Sequence, residues 1–113
     1  MNFPEYQNAA MLTRGKHGEG LDETFYFAGC AAGEAGELLN KVKKVAPIGH
    51  SHPMTPEARQ EMLEEAGDVL WYLTAALESI GASLEDVAIM NITKLAKRYP
   101  EGFSSERSIH RTT

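Results

Sequence analysis

The sequence predicts an all-α protein, a helical bundle completed by oligomerisation. Three observations carry this expectation. Apolar residues recur at three- and four-residue spacing along nearly the whole chain. No segment alternates apolar and polar residues as a half-buried strand would. The segment 69–80, VLWYLTAALESI, is apolar around most of its circumference, which marks a helix buried on more than one side. With only three or four helices in the chain, its second side is expected to meet another subunit.

NFPEYQNAAMLTR allows a short first helix with Pro4 near its start. RGKHGEG (14–20) is a glycine-rich break. A long helix is predicted from about Asp22 to Lys44, with Phe25, Ala28, Ala32, Ala35, Leu39 and Val42 at helical spacing. VAPIGHSHPMTP (45–56) holds three prolines and a glycine and reads as a loop. Thr55 then serves as an N-cap with Pro56 at the first helical position, and that helix should stop at Gly81 after Ile80. Ser83 and Asp86 form a capping-box pattern, with Asp for the usual Glu, opening a last helix to about Tyr99. Pro100 and Gly102 end it, and residues 104–113 are expected to be an extended tail.

A chain of 113 residues allows one domain, with its core about 22–103. At that size a chain buries roughly 65% of its unfolded surface on its own. No apolar run approaches a membrane span, and MNFPEYQ has no charged-then-apolar signal pattern, so the expected location is cytoplasmic. Cys30 is alone, which excludes an intrachain disulfide. The net charge is −5, unevenly placed. Residues 94–113 hold five basic and two acidic side chains, net +3, whereas the other 93 hold six basic and fourteen acidic, net −8. An acidic body with a basic tail is a poor duplex-DNA binder. It suits a metal ion with a small phosphorylated ligand, although an ordinary solvated surface is the plainer reading of charge alone.

Two segments nearly repeat one another: GEAGELL at 33–39 and EEAGDVL at 64–70. Each places two carboxylates three residues apart, Glu34 with Glu37 and Glu65 with Asp68. Residues so spaced share one helix face. Glu61 and Glu64 extend the second patch, and both patches adjoin apolar residues expected to face the core. Burying carboxylates together is costly unless cations compensate. Acidic pairs on facing helices can hold a hard, oxygen-preferring cation, Mg²⁺ or Mn²⁺. Gly36 and Gly67 each precede the second acid inside a predicted helix, at a cost of about 1 kcal/mol against alanine. They would let a partner helix or a ligand approach closely; tight packing without a ligand is the alternative.

GEAGELLNKVKK, EEAGDVLWYL and NITKLAKRYPEGF, in this order over roughly residues 22–103, resemble the MazG-type all-α nucleotide pyrophosphohydrolases. The family hallmark, E-x-x-E followed after a variable gap by E-x-x-D, matches Glu34-x-x-Glu37 and Glu65-x-x-Asp68. The resemblance implies Mg²⁺-dependent cleavage of a nucleoside triphosphate between its α- and β-phosphates, giving a monophosphate and pyrophosphate. It implies Glu34, Glu37, Glu65 and Asp68 as metal ligands, and Asn91, Lys94, Arg98 and Tyr99 as contacts to phosphate or sugar. Glu37 and Glu65 are the candidates for catalytic work on the attacking water; residue types alone do not separate ligand from base. A related substrate such as phosphoribosyl-ATP, or a non-catalytic metal-binding helical module, would carry the same acidic pairs. The basic NITKLAKRYP segment favours the enzyme.

Of the remaining residues, Lys41 lies one turn past Glu37 and could reach a phosphate, or, with Lys43 and Lys44, only favour the helix C-terminus. Trp71 could stack on a base or simply belong to the core. Cys30 reads as a small buried residue. His50 and His52 form H-x-H in IGHSHPM; nothing near them in sequence completes a zinc set, so the segment reads as a loop without a structural metal that could instead cover a bound nucleotide.

Overall fold

The structure, a computed structural model, describes residues 1–110 and is helical, with no strand among them. Its elements are α1 (Phe3–Met11), α2 (Leu21–Val45), α3 (Pro56–Ser79), α4 (Leu84–Arg98) and a short α5 (Ser105–Ile109). Side-chain caps set most of the starts. The Asn2 carboxamide accepts from Glu5 N–H at 2.9 Å while Glu5 reaches back to Asn2 N–H at 3.1 Å, a reciprocal box at α1. Thr55 Oγ1 accepts from Ala58 N–H at 3.0 Å, and Ser83 Oγ from Asp86 N–H at 3.0 Å. Gly81, with φ of +73°, supplies the left-handed residue that turns the chain from α3 into α4. The expected extended tail is instead helical over Ser105–Ile109, and 111–113 lie outside the described residues.

The organising unit is an antiparallel hairpin of α2 and α3. Its direction is plain from its two ends: Thr24 Oγ1 meets Ser79 Oγ at 2.6 Å, and Lys41 Nζ meets Glu61 at 3.6 Å. The seam follows a coiled-coil rhythm. On α2 the residues shielded from solvent include Thr24, Phe27, Ala31, Glu34, Leu38, Lys41 and Val45; on α3 they include Ala58, Met62, Glu65, Val69, Tyr72, Ala76 and Ser79. Both rows alternate steps of three and four, the spacing that keeps one helix stripe against its neighbour.

Phe27, Ala75 and Ala76 form the buried centre, with Met11, Trp71 and Tyr72 against it. α1 is fastened over this centre by polar contacts. Trp71 Nε1 donates to Ala10 O at 3.1 Å. Gln7, itself buried, donates from its amide to Glu78 Oε1 and Ala82 O, both at 3.3 Å, and accepts the Leu84 N–H at 2.8 Å. The loop after α1 is closed by the buried Glu23 carboxylate, which takes the Arg14 guanidinium on one oxygen and the His17 N–H, at 2.8 Å, on the other.

Two expectations change here. Segment 69–80 finds its second side within the chain: α1 and α2 cover it, and of its large apolar residues only Leu73 and Ile80 are exposed. The open apolar surface is on α2. The row Phe25, Ala28, Ala32, Ala35, Leu39, Val42 does not face the core; all six are exposed, Phe25 at 82% and Leu39 at 66%. Ile89, Met90 and Ile92 of α4 are likewise open. The chain is accordingly loose for its size. Its radius of gyration is 17.2 Å, against about 13 Å for a compact domain of this length. Its accessible surface is 8053 Å², against about 6,100 Å² for a monomer of this mass.

Gln7 makes three contacts that no apolar residue can replace. Gln7→Leu should strand the Leu84 N–H in a buried position and lower stability by about 1–3 kcal/mol. Chemical denaturation at fixed protein concentration measures this; a wild-type midpoint would mean α1 is not held by that contact.

Candidate active site

The seam that builds the core also builds the acidic site. Glu34 occupies a seam position of α2, two turns beyond Phe27, and points at α3. Glu65 occupies the facing seam position, and Asp68 stands one turn further along α3 at the mouth. One carboxylate oxygen from each of Glu34, Glu65 and Asp68 lies within 4.8 Å of the others. Glu34 and Glu65 are half-buried and Asp68 is exposed, so the cluster opens to solvent on one side.

Its electrostatics follow from this crowding. The Glu34 carboxyl is held above the ordinary range, first by partial desolvation, then by a hydrogen bond shared with Glu65, then by the charges of Asp68, Glu65 and Glu37. Such a cluster favours a proton or a cation over three bare carboxylates. All three donors are hard oxygens, the set that Mg²⁺ and Mn²⁺ take, and no histidine or cysteine among the described residues joins them.

The structure sorts the sequence-predicted residues unequally. Glu34, Glu65 and Asp68 come together. Glu37 is exposed and outside the three-oxygen cluster, though near enough for its charge to act on Glu34. Lys41 lies one turn beyond Glu37 and pairs with Glu61, which lies one turn before Glu65, so this ion pair borders the site. Trp71 is in the core cluster with its N–H committed to α1, and its ring meets Phe27 edge-on.

Asn91, Lys94, Arg98 and Tyr99 belong to α4 or its C-cap, and α4 packs on α1 with little contact to α2 or α3. Within one chain they are not brought to the carboxylates. Gly36 and Gly67 have nothing within 4 Å of where a side chain would begin, so tight packing inside the chain is not their purpose. Tyr72, the aromatic beside Trp71, also packs against the core cluster and meets the Trp71 ring edge-on.

The family model of the MazG nucleotide pyrophosphohydrolase domain matches residues 27–103. The chain is 33% identical over 106 residues to Gene 37 protein of Mycobacterium phage L5, covering 90% of this chain and 92% of that protein. It is also 38% identical over 71 residues to Uncharacterized protein YvdC of Bacillus subtilis (strain 168), covering 58% of this chain and 66% of that one. No solved structure matches it.

A carboxyl whose folded-state pKa is raised binds its proton more tightly in the folded chain than in the unfolded one. Stability of metal-free protein should therefore fall as pH rises from the ordinary glutamate range through the raised value of Glu34. Glu34→Gln should remove that part of the slope and raise metal-free stability at neutral pH. Thermal melts across pH in chelator compare the two; parallel profiles would show that Glu34 is not strained by its neighbours.

Proposed function

The chain belongs to the MazG nucleotide pyrophosphohydrolase family, and from that premise we propose that it hydrolyses a (deoxy)nucleoside triphosphate between the α- and β-phosphates, with Mg²⁺ as cofactor and Mn²⁺ as a substitute. The observation that supports this most is the three-carboxylate cluster in the α2–α3 seam, inside the segment the family pattern covers. Glu34, Glu65 and Asp68 are the residues that would hold the metal. A divalent cation held there would supply positive charge against the phosphate oxygens and would lower the pKa of water at the site.

The chain's own side chains then divide the work. Glu37, left out of the cluster yet beside it, is free to orient the attacking water and take its proton. Glu65 sits deeper and serves chiefly to hold Glu34 and the cation in place. Lys41, already at the border of the site, can leave Glu61 for a phosphate oxygen as negative charge arrives.

The cationic face of Asn91, Lys94 and Arg98, with Tyr99 beside it, would serve a site in a neighbouring copy, a reading supported by the little contact α4 makes with α2 and α3 in its own chain. This fits a homo-oligomer, dimer or tetramer. The exposed α2 row Phe25, Ala28, Ala32, Ala35, Leu39 and Val42 offers a second three–four seam for that association. The excess of about 1,900 Å² of accessible surface over a monomer of this mass is of the size that stable interfaces bury. No helix among the described residues is long and apolar enough to cross a membrane, and a cytoplasmic place of action is consistent with that.

Two measurements separate the carboxylates. Asp68→Asn should abolish turnover and weaken Mg²⁺ binding together. Glu37→Gln should lower kcat by about 100-fold or more while leaving metal affinity nearly intact. A Glu37→Gln variant that loses metal and turnover in step would make Glu37 a ligand instead.

Lys94→Ala should cut kcat/KM by roughly tenfold to a hundredfold, the worth of one charge-assisted contact. If the contact crosses subunits, mixing Lys94→Ala with Asp68→Asn protein should give activity above either alone, because some sites then carry neither lesion. Light scattering of the parent should show at least a dimer; a monomer with full activity would remove the shared site.

A further inference from the structure

The loop after α2 carries the one histidine pair that the acidic site does not use. It is not a slack connection. The His50 N–H donates to Lys43 O at 2.9 Å and the His52 N–H to Lys44 O at 2.8 Å, so both histidines hang from the last carbonyls of α2. Gly49 N–H and Ser51 N–H both donate to Ala46 O, at 2.8 and 3.2 Å, and Ser51 Oγ donates to Pro47 O at 3.2 Å. Ser51 lies in the left-handed region, with φ of +54°, so the chain turns sharply between the two histidines. Gly49 passes so close to the Lys43 carbonyl that a Cβ there would collide with it. The backbone under the pair is thus held by five hydrogen bonds and one obligatory glycine.

The rings above it are exposed, tilted by 51° to each other, and 5.6 Å apart between centroids. Neither imidazole has a hydrogen-bond partner among the described residues. Two imidazoles bound to one tetrahedral cation at about 2.0–2.1 Å would have their centroids about 5.2 Å apart. The observed ring separation of 5.6 Å lies within a few tenths of an ångström of that spacing. The C-terminal end of α2 adds the negative pole of its dipole beneath the rings. Lys43 and Lys44 oppose a dication there, but both are exposed and screened.

We propose that His50 and His52 form a second metal site, selective for borderline, nitrogen-preferring divalent cations such as Zn²⁺, with water completing the coordination. It is separate from the carboxylate cluster: Val45, at the foot of the loop, lies eleven helical steps, about 16 Å, beyond Glu34 along α2. It also differs in chemistry, since imidazoles suit Zn²⁺, Cu²⁺ or Ni²⁺ and the carboxylates suit Mg²⁺ or Mn²⁺. The chain then sorts two classes of cation by ligand type, and the loop site does not depend on the hydrolase reading.

The test is a Zn²⁺ titration of the full chain in millimolar Mg²⁺, read by calorimetry and by the histidine ring signals in NMR. One Zn²⁺ per chain should bind, moving the signals of His50 and His52 and leaving those of His17 and His110 in place. His50→Ala and His52→Ala should each weaken binding at least tenfold, and Asp68→Asn should leave it unchanged. Gly49→Ala keeps both imidazoles but pushes the loop off Lys43, so it too should weaken binding. Absence of Zn²⁺ binding, unchanged affinity in either histidine variant or in Gly49→Ala, or loss of Zn²⁺ in Asp68→Asn would each overturn the site.

Discussion

The α2–α3 seam, which packs Phe27 against Ala75 and Ala76 and sets Glu34 against Glu65 and Asp68, is the constraint on which the rest of the structure depends. A helix pair needs an uninterrupted stripe of shielded residues, and here that stripe is asked to hold carboxylates as well. The hairpin meets the demand by dividing its length. Near the end where α1 lies, Phe27, Ala75 and Ala76 pack out of water and give the pair its hold. Further along, where α1 no longer reaches, the same stripe carries Glu34, Lys41 and Glu65, half-open to solvent. The packed end positions the charged end, and the charged end is free to remain under-compensated because the packed end keeps the helices together.

This division explains the polar fastening of α1. The packed end has few fully buried side chains, so it relies on directional contacts as well: the Trp71 indole to Ala10, Gln7 to the turn between α3 and α4, and Glu23 to Arg14 and His17. Each ties a loop or a helix end to the helices around the core. Their removal would loosen the aromatic layer of Phe27, Trp71 and Tyr72, and with it the register of the two acidic helices. Stability and site geometry are therefore coupled through α3, which contributes to both.

The outward faces tell a complementary story. Gly36 and Gly67 lower helix propensity by about 1 kcal/mol each, and nothing among the described residues uses the space they leave. The open apolar row on α2 and the open apolar residues of α4 are similarly unused within one chain. Features that cost stability in the monomer and pack against nothing there are understandable if their partners come from outside it, a nucleotide at the acidic mouth and a second copy along α2.

What the sequence by itself determined was local. Asn2, Thr55 and Ser83 cap helices through their own side chains, Pro56 and Gly81 restrict backbone angles, and carboxylates three apart on a helix must share a face. These effects act over one or two turns, so the starts of α1, α3 and α4 and both acidic pairs were legible without a fold. The resemblance of the motifs added the family. Tertiary structure decided which stripe of α2 turns inward. Thr24, Phe27, Ala31, Glu34, Leu38, Lys41, Val45 and Phe25, Ala28, Ala32, Ala35, Leu39, Val42 have the same three–four rhythm one residue out of step, and the second is the more apolar. Periodicity cannot choose between them; the rotation of α2 against α3 does. That rotation places Glu34 in the seam, leaves Glu37 at its edge, and exposes the row that reads most like a core. It also sends Trp71 to α1 and keeps α4 from the carboxylates, because long-range packing, unlike capping or spacing, depends on residues that no local window contains.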